Sequence, residues 1–246
     1  MCIRDRRYQA LVAFGAETST GDVEGEVIRR TDRVPASATE IQAALAQLEG
    51  EQWQVPPMYS ALKHHGQPLY RLARQGIEIE RAPRRITIHA LDLLRHEDGQ
   101  ALIDVRCTKG TYVRSLAVSL GELLGCGAHL AGLRRLEAGP YDITRAHPLS
   151  LFEPGAYPPE ALAELLLPAD SALTSLPALT LNGDTARRLG LGQRVRVPEA
   201  TGPGVLVRLY DLDGRFLGVG ECEADQMVRP RRLTASQPVT EMLESR

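Results

Sequence analysis

The sequence predicts an α+β fold, in which a mixed β-sheet with helices is followed by a small β-barrel. Apolar residues alternate with a period of two in several segments of the first half, and one of these runs directly into a segment with helical spacing. Strands and amphipathic helices do not alternate regularly, which argues against a doubly wound sheet. After residue 177, short strand patterns are separated by glycine-containing turns, as in a small barrel. The chain of 246 residues is long enough for one large domain and a small companion.

The composition is that of an ordinary globular protein and leaves the binding partner open. Hydrophobic residues make up 43% of the chain and charged residues 24%, and the net charge is -2. Lys63 and Lys109 are the only lysines among 29 basic residues; the arginines can bind phosphate and bases or simply solvate the surface. No apolar run approaches the ~18 residues of a membrane span, and the four cysteines form no Cys-x-x-Cys pair. We therefore expect a cytoplasmic protein with reduced thiols.

The first predicted elements are a strand, an extended segment and two helices. Residues 8–14 alternate between a bulkier and a smaller face, which indicates a strand. Residues 37–40 have the form of a capping box and predict a helix that ends at Gly50. Residues 54–57 must be extended, because proline disfavours the helical conformation in the residue before it. A short helix is predicted over residues 68–76, with proline at its start.

The middle of the chain predicts a hairpin followed by a helix. Strand patterns over residues 86–94 and 101–107 are joined by Asp98-Gly99, a dipeptide typical of tight hairpin turns. The period then changes to that of a helix over residues 113–124, for which Thr111 is the predicted N-cap. A tight strand-to-helix turn therefore lies between them.

The sequence pattern changes from helical to short strands at a predicted domain boundary near residues 171–177. Before the boundary, a helix is predicted over residues 161–167 and ends at a proline. Beyond it, strand patterns occupy residues 194–197, 205–210 and 216–221. These short strands are the basis for the predicted barrel.

The turn from Cys107 to Arg114 is the densest group of candidate functional residues. Backbone N–H groups at a helix start attract anions, Lys109 adds positive charge, and Tyr112 and Arg114 project from the first turn. Such a turn can hold a phosphate, a carboxylate or a base, or it can be a solvent-exposed turn with no ligand. A Walker phosphate-binding loop is excluded, because Gly110 follows the lysine instead of preceding it.

Other kinds of site find little support in the sequence. His64 and His65 are adjacent and cannot chelate a metal as an i, i+4 pair would, so we predict no metal site. No Gly-x-Ser-x-Gly motif of a serine hydrolase occurs. Asp22 and Asp104 could serve in acid or base catalysis, but neither has a carboxylate partner at a distinctive spacing, and Asp22 is accounted for as a turn residue.

Several short motifs follow one another in the chain between residues 7 and 233. They are Arg7-Tyr8, Thr18-x-Thr20-x-Asp22-x-x-Gly25, the segment from Gln54 to Lys63, Gly66, the segment from Tyr70 to Gly76, the segment from Lys109 to Arg114, the segment from Gly125 to Leu130, Leu133-Arg134-Arg135-Leu136 and Leu167-Pro168-Ala169-Asp170. In residues and order they resemble the bacterial TruB-type tRNA pseudouridine synthases. A chance match of so many motifs in one order is improbable.

The resemblance implies isomerisation of a uridine in the T-loop of tRNA, in which the base is detached, turned and rejoined through carbon without a cofactor. The base must leave its stack at a cost of a few kcal/mol, and an aromatic ring that replaces the stacking recovers ~1–3 kcal/mol. By resemblance, Tyr8 stacks on the flipped base, and Tyr112 and Leu133 line the pocket. Arg114 matches the arginine that pairs with the catalytic aspartate and, together with Tyr8, is assigned to catalysis.

The resemblance also implies how the RNA is held. The segment from Lys63 to Gly76 is similar to the family's insertion that binds the T-arm, and we expect Lys63, Arg71 and Lys109 to contact RNA. The C-terminal barrel resembles a PUA-type RNA-binding module. The predicted domains are a pseudouridine synthase catalytic domain over residues 7–172 and the PUA-like domain over residues 177–236. The expected partner is the T-arm of tRNA; the expected state is a monomer that needs no protein partner or membrane.

The sequence departs from the family at the nucleophile. In the family, the aspartate belongs to a Gly-x-Leu-Asp-Pro segment upstream of the strand that here begins at Tyr8, and no Leu-Asp-Pro occurs in the 246 residues. Residues 1–6 look like a translated sequencing adapter, so Asp5 is not assigned as the nucleophile. We therefore expect an N-terminally truncated, incomplete catalytic domain that folds poorly, because strands that would pair with residues 8–14 are missing, and that forms no pseudouridine.

Three alternatives remain open. A non-catalytic RNA-binding or tRNA-folding protein would keep the barrel and the basic groups without an aspartate. A guide-dependent pseudouridylase is a weaker alternative, because the segment from Lys63 to Gly76 resembles that of stand-alone bacterial enzymes. An unrelated phosphate-binding enzyme built on the Lys109 turn is the weakest.

Overall fold

The computed structural model describes residues 5–234 and confirms an α+β fold. It divides into two compact units at Ala146 and His147, and each unit is described by itself. Residues 1–4 of the predicted adapter segment and residues 235–236 of the predicted C-terminal domain lie outside the described residues.

The first unit consists of ten strands, three α-helices and one 3-10 turn within its described part. The strands are β1 Asp5–Phe14, β2 Ala16–Thr18, β3 Val27–Arg30, β4 Gly50–Gln54, β5 Lys63–His64, β6 Gln67–Pro68, β7 Arg84–Glu97, β8 Gln100–Thr108, β9 Ala128–Ala138 and β10 Tyr141–Asp142. The helices are α1 Ala38–Gln47, α2 Leu69–Arg74 and α3 Val113–Leu123. Six of the strands form the main sheet, in the order β10-β9-β1-β8-β7-β4.

The main sheet is antiparallel at every one of these strand pairs, so the prediction of a mixed sheet was wrong for this unit. The α3 crossover does make β8 and β9 run in the same direction. However, β1 lies between them and is antiparallel to both, so no parallel ladder forms. The expected lack of pairing partners for residues 8–14 was also wrong. Both partners of β1 lie later in the chain, and each is hydrogen-bonded along it.

One face of this sheet carries the hydrophobic core. The alternation predicted for β1 holds, because Ala10 and Val12 are buried, whereas Leu11 between them is only half-buried. Helix α1 buries Ile41 against the same core, and α3 buries Leu120 there. Full burial of an aliphatic side chain of this size is worth about 1.5–3 kcal/mol, so the two helices are held mainly by this face.

Close approach at the end of α3 requires a residue without a side chain. A Cβ atom on Gly121 would lie 2.2 Å from the backbone nitrogen of Ala128 at the start of β9. The turn between β7 and β8 has a different requirement, because Asp98 and Gly99 have φ of 50° and 71°. These are the positive angles of the predicted two-residue hairpin turn.

Two predicted helix ends needed correction. The Ser37 cap of α1 is confirmed by a hydrogen bond from the Glu40 backbone nitrogen to Ser37 Oγ at 3.2 Å, but Gly50 begins β4 instead of ending the helix. The N-cap of α3 is Tyr112, not Thr111. The Thr111 hydroxyl instead donates to the Thr108 carbonyl at 2.9 Å, within the preceding turn.

The second unit, as far as residue 234, contains two helices and a five-stranded sheet. Its elements are α4 Pro159–Glu164, β11 Ala178–Thr180, α5 Gly183–Gly190, β12 Val195–Arg196, β13 Leu206–Tyr210, β14 Phe216–Cys222 and β15 Met227–Leu233. The strand order is β11-β13-β14-β15-β12, with β11 parallel to β13 and the other pairs antiparallel. The helix predicted over residues 161–167 instead begins at Pro159, a favoured first residue, and ends at Glu164.

A polar network joins the segment before β11 to the second sheet. Arg208 Nη1 lies 3.1 Å from Asp170 Oδ2 and donates to the Tyr210 hydroxyl at 2.9 Å, and the Tyr210 hydroxyl donates to Asp170. Both charged side chains are less than one-fifth exposed. The Tyr210 hydrogen bond, followed by Arg208, lowers the pKa of Asp170 from its ordinary 3.8.

Two general features of the described residues bear on function. No helix in residues 5–234 combines the length and apolar character needed to cross a membrane. Within the same residues, no group of three or more His, Cys, Asp or Glu side chains is arranged to hold a metal ion.

Candidate active site

A cleft of about 470 Å³ opens in the first unit beside the start of α3. Three parts of the chain form its walls: residues 18–21, residues 52–59 and one face of α3 from Arg114 to Glu122. Arg81 and Glu78 complete the lining. Arg114, predicted from the sequence as a catalytic residue, thus lies in a cleft wall.

The Arg114 guanidinium connects two of these walls. Nη1 lies 2.9 Å from Asp22 Oδ2 and donates to the Thr20 carbonyl at 3.3 Å, and Nη2 donates to the Tyr59 carbonyl. Both charged side chains are 22% exposed, so the ion pair is partly shielded from water. Arg114 therefore holds the loop after β2 and the segment after β4 against the first turn of α3.

Asp22 is a functional candidate that sequence reasoning treated as a turn residue. Its Oδ1 accepts from the Thr20 hydroxyl at 2.7 Å and from the Glu24 backbone nitrogen at 3.2 Å, while Oδ2 faces Arg114. The backbone of the same loop is tied to β9, since Val23 N donates to the Leu130 carbonyl at 3.0 Å. Both carboxylate oxygens are thus occupied, which suits a residue that positions Arg114.

Gly25 explains why the loop motif ends in glycine. A Cβ atom at this position would lie 2.3 Å from Thr20 Oγ1 and 2.7 Å from the Thr20 backbone nitrogen. Thr20 is the residue whose hydroxyl orients Asp22 and whose carbonyl accepts from Arg114. The spacing Thr18-x-Thr20-x-Asp22-x-x-Gly25 was therefore the sequence signal for this site.

Tyr112 is positioned by the end of β4. Its backbone nitrogen donates to Gln54 Oε1 at 2.8 Å, and its carbonyl accepts from Gln54 Nε2 at 3.2 Å. The Tyr112 N–H has no partner within α3 and is satisfied by Gln54, whereas the carbonyl also accepts from Leu116 N of α3 at 3.2 Å. Tyr112 is partly buried and is not part of the lining of the Arg114 cleft.

Tyr8 and Leu133 lie on the core-facing side of the sheet, on neighbouring strands. Tyr8 is opposite Arg135, and Leu133 is opposite Ala10. Tyr8 is 8% exposed, whereas Leu133 is 49% exposed. The guanidinium carbon of Arg135 lies 5.4 Å from the Tyr8 ring centroid, a cation–π contact that sequence reasoning did not predict.

The predicted pocket residues Tyr8, Tyr112 and Arg114 do not all line one cleft. Tyr8 belongs to the same hydrophobic core as Val113, the residue between Tyr112 and Arg114. The cleft lining includes Arg114 but neither tyrosine. Tyr112 and Arg114 both lie at the start of α3, whereas Tyr8 lies on β1.

The predicted RNA-binding residues occupy exposed positions. Lys63 lies in the β5–β6 hairpin and Arg71 in α2. This hairpin and helix are joined by a hydrogen bond from Leu69 N to the Leu62 carbonyl at 2.7 Å. Lys109 is exposed in the turn between β8 and α3.

Asp104, considered above as a possible acid or base, lies on the other face of the sheet. Its oxygens accept from Arg7 Nε at 3.0 Å, and Arg7 Nη1 donates to Glu137 at 3.1 Å. Hydrogen bonds from Asp104 and Glu137 raise the pKa of Arg7. Since Asp104 is only 3% exposed and paired, the position indicates a structural ion pair.

Known structures share this fold. A structure described as "Crystal Structure of a Cbf5-Nop10-Gar1 Complex" matches 94% of this chain and 67% of its own, with a TM-score of 0.65 and 20% identity. A second, "Structure of H/ACA RNP bound to a substrate RNA containing 2'-deoxyuridine", covers 94% and 66% with a TM-score of 0.64 and 18% identity. At this identity the likeness shows the fold alone.

Family models and relatives define the family. Residues 1–113 match the TruB family pseudouridylate synthase N-terminal domain, residues 114–174 the tRNA pseudouridylate synthase B C-terminal domain, and residues 177–234 the pseudouridine synthase II TruB C-terminal region. The tRNA pseudouridine synthase B of Stutzerimonas stutzeri is 46% identical over 95% of this chain and 76% of its own length. That of Thiobacillus denitrificans is 48% identical over 94% and 76%. The chain belongs to the TruB family of pseudouridine synthases.

Proposed function

We propose that this protein isomerises uridine to pseudouridine in tRNA, at a uridine of the T-loop, without a cofactor. The observation that carries the proposal is the 46–48% identity to enzymes named tRNA pseudouridine synthase B across 94–95% of the chain. The reaction breaks the bond between the sugar and a ring nitrogen and forms one between the sugar and a ring carbon. That carbon loses a proton and the nitrogen gains one, so no atom is lost and no electron acceptor is required.

The base must be flipped out of the RNA, and we propose that Tyr8 stacks on it. Unstacking costs a few kcal/mol, and one base–aromatic stack returns ~1–3 kcal/mol. The Arg135 guanidinium 5.4 Å from the Tyr8 centroid supports this role only as far as it shows that the ring face accommodates a planar group, which the base would displace. We assign Tyr112 and Leu133 to the same base pocket, and Lys63, Arg71 and Lys109 to the RNA backbone.

We propose that Arg114 orients a carboxylate at the sugar, and that Asp22 positions Arg114 without acting as the nucleophile. Both oxygens of Asp22 already accept hydrogen bonds, from Thr20, Glu24 and Arg114. The nucleophile in this proposal is the aspartate of a Leu-Asp-Pro segment, which is absent from the 246 residues. The chain by itself is therefore proposed to form no pseudouridine.

The proposal is tested with the purified chain and with a version extended at its N-terminus by a Leu-Asp-Pro segment from a curated relative. Each is incubated with T-arm RNA, and pseudouridine is measured. We expect product from the extended version only, and loss of product when the added aspartate is replaced by asparagine. Turnover by the original chain would refute the assignment of the nucleophile. No product from the extended version, although it binds the RNA, would refute the proposed activity.

We further propose that the predicted domain over residues 177–236 is a PUA-like RNA-binding module, that the protein acts as a cytoplasmic monomer, and that its RNA partner is the T-arm. The match of residues 177–234 to the TruB C-terminal family supports the first assignment. A non-catalytic RNA-binding or tRNA-folding role is the second candidate, and the absence of Leu-Asp-Pro favours it. Salt-dependent RNA binding without product from the extended version would establish that role.

A further inference from the structure

Trp53 is a large aromatic side chain in an unusual position. It is the only tryptophan in the sequence and is 71% exposed. It lies on β4, the last strand in the hydrogen-bonded order of the main sheet. Aromatic rings usually contribute to stability by being buried, so an indole left open to water contributes little to folding and is available for a ligand.

The surroundings of Trp53 connect it to the candidate active site. It lines the same cleft as Arg114. Within the cleft wall formed by residues 52–59, it belongs to the part that is still in β4. Directly opposite it on β7 is Arg85. Glu51, on the same face of β4, forms an ion pair with Arg85, and both of these side chains are more than half exposed. A planar ring and a cation thus lie side by side at the rim of the cleft.

The charges at this rim suit a nucleic acid. An exposed ion pair such as Arg85 with Glu51 contributes little to stability, so Arg85 can exchange the carboxylate for a phosphate at low cost. Arg84 is exposed next to it. Arg81 also lines the cleft; its Nη2 donates to Glu78 at 3.2 Å, whereas its buried Nε has no hydrogen-bond partner among residues 5–234. Arg85 therefore lies opposite the indole, and Arg81 lines the same cleft.

We propose that Trp53 stacks on an unpaired nucleotide of the RNA substrate at the cleft rim, with Arg85 binding the adjacent phosphate. This contact rests on the proposed function and adds a second stacking site, outside the pocket that holds the flipped base. A base stacks on an indole whatever its identity, so the contact contributes affinity without selecting a sequence. Its occupant is single-stranded RNA, because in a helix both faces of a base are already stacked on its neighbours.

Intrinsic fluorescence tests the proposal directly, because all tryptophan emission comes from residue 53. The chain is titrated with a T-arm hairpin, or with the same stem as a fully paired duplex, while binding is followed independently by anisotropy of labelled RNA. We expect the hairpin to quench the emission at the concentrations where it binds, and the duplex to quench it much less. Trp53→Ala should weaken hairpin binding about fivefold to tenfold, the lower part of the range for one stack, because the rim stays open to water.

Two further variants separate stacking from a structural effect. Trp53→Phe keeps an aromatic ring and should retain most of the affinity. Leu94→Ala removes another exposed apolar side chain, on β7 and outside the cleft lining, and should bind as the original chain does. Far-ultraviolet circular dichroism should be the same for all of them.

The outcomes distinguish this inference from the proposed function. Hairpin binding with unchanged emission, or with unchanged affinity in Trp53→Ala, would overturn the stacking site and leave the enzymatic proposal intact. If the hairpin quenched the emission but the extended version formed no pseudouridine, the Trp53 stacking site would be supported and the proposed enzymatic activity refuted. Emission that changes with protein concentration in the absence of RNA would show that a second copy covers Trp53, and would also overturn the inference.

Discussion

The ion pair between Arg114 and Asp22 should stabilise the first unit measurably, and a double-mutant cycle can isolate its contribution. Asp22→Asn removes the charge but keeps an acceptor for the Thr20 hydroxyl and the Glu24 nitrogen. Arg114→Met removes the guanidinium but keeps an unbranched stem. The two single variants and the double variant therefore change the pair without opening a large cavity.

The expected coupling energy follows from distance and exposure. Two unit charges about 4 Å apart attract by about 1 kcal/mol in water and about 4 kcal/mol at an effective dielectric constant of 20. The nitrogen–oxygen distance is 2.9 Å, and each side chain is 22% exposed. Exposed pairs give about 0–1 kcal/mol, and breaking a buried pair costs about 3–5 kcal/mol. For this partly buried pair we expect a coupling of about 1.5 kcal/mol.

The assay is urea unfolding followed by far-ultraviolet circular dichroism. Urea leaves ion pairs unscreened, and the exposed Trp53 would be a poor fluorescent reporter of unfolding. The control is the pair of Arg95 and Glu97, at 3.1 Å in the same unit but more than half exposed on both sides. The cycle of Arg95→Met with Glu97→Gln should give less than about 0.5 kcal/mol. Equal coupling in the two cycles, or none for Arg114 with Asp22, would refute the reasoning from burial.

Three further predictions follow from the same structure. In the extended, active version, Arg114→Ala should lower turnover about 10²–10³-fold with nearly unchanged tRNA affinity, as measured by pseudouridine formation and RNA binding. Gly25→Ala should lower the free energy of unfolding by about 1–3 kcal/mol, because its Cβ would lie 2.3 Å from Thr20 Oγ1. The Tyr210 hydrogen bond lowers the pKa of Asp170, so the stability it adds is present above about pH 4 and is lost as pH falls further. Asp170→Asn should therefore have a lower free energy of unfolding in urea than the original chain at pH 7. On going to pH 3, the free energy of unfolding of the variant should fall by less than that of the original chain.

Each of these has a contrary result. A loss of tRNA affinity as large as the loss of turnover would make Arg114 a phosphate-binding residue. For the glycine, the control is Gly132→Ala, whose Cβ would make an ordinary 3.6 Å contact with Leu11, and an equal cost in both variants would contradict the steric argument. If the free energy of unfolding of Asp170→Asn fell between pH 7 and pH 3 by as much as that of the original chain, the network of Asp170, Arg208 and Tyr210 would not be the cause of the pH dependence.

Local sequence signals predicted the elements whose causes are local. The Ser37 cap, the Asp98-Gly99 turn and the alternation of β1 all appear in the structure where they were expected. Strand β4 was missed, because Gly50–Gln54 has no apolar alternation and exists by pairing with β7. Strand β15 was missed for a similar reason, since it is built by pairing with β14 and β12, and helix α5 was missed although Asn182 caps it. Residues with weak preferences take the conformation that their neighbours impose.

In the candidate site, too, the motifs could be seen in the sequence, whereas the contacts between them could not. The motif from Lys109 to Arg114 was visible as a run of residues, and so was the loop that contains Asp22. Their connection was not visible, because Arg114 and Asp22 are separated by 92 positions and meet only when α3 packs beside the loop after β2. The Arg135 contact with Tyr8 depends in turn on the register of β1 with β9.

The sequence by itself determined the start of α1, the hairpin turn at Asp98-Gly99 and, through its motifs, the family, since caps, turn dipeptides and apolar periods act over a few residues. The tertiary structure alone decided that β1 lies between β8 and β9, which makes the main sheet antiparallel. It also decided that Arg114 binds Asp22 and that Trp53 stays exposed beside Arg85. These outcomes depend on which surfaces, far apart in the sequence, pack against each other. That packing is set by the free energy of the whole unit, which no short segment of the chain determines.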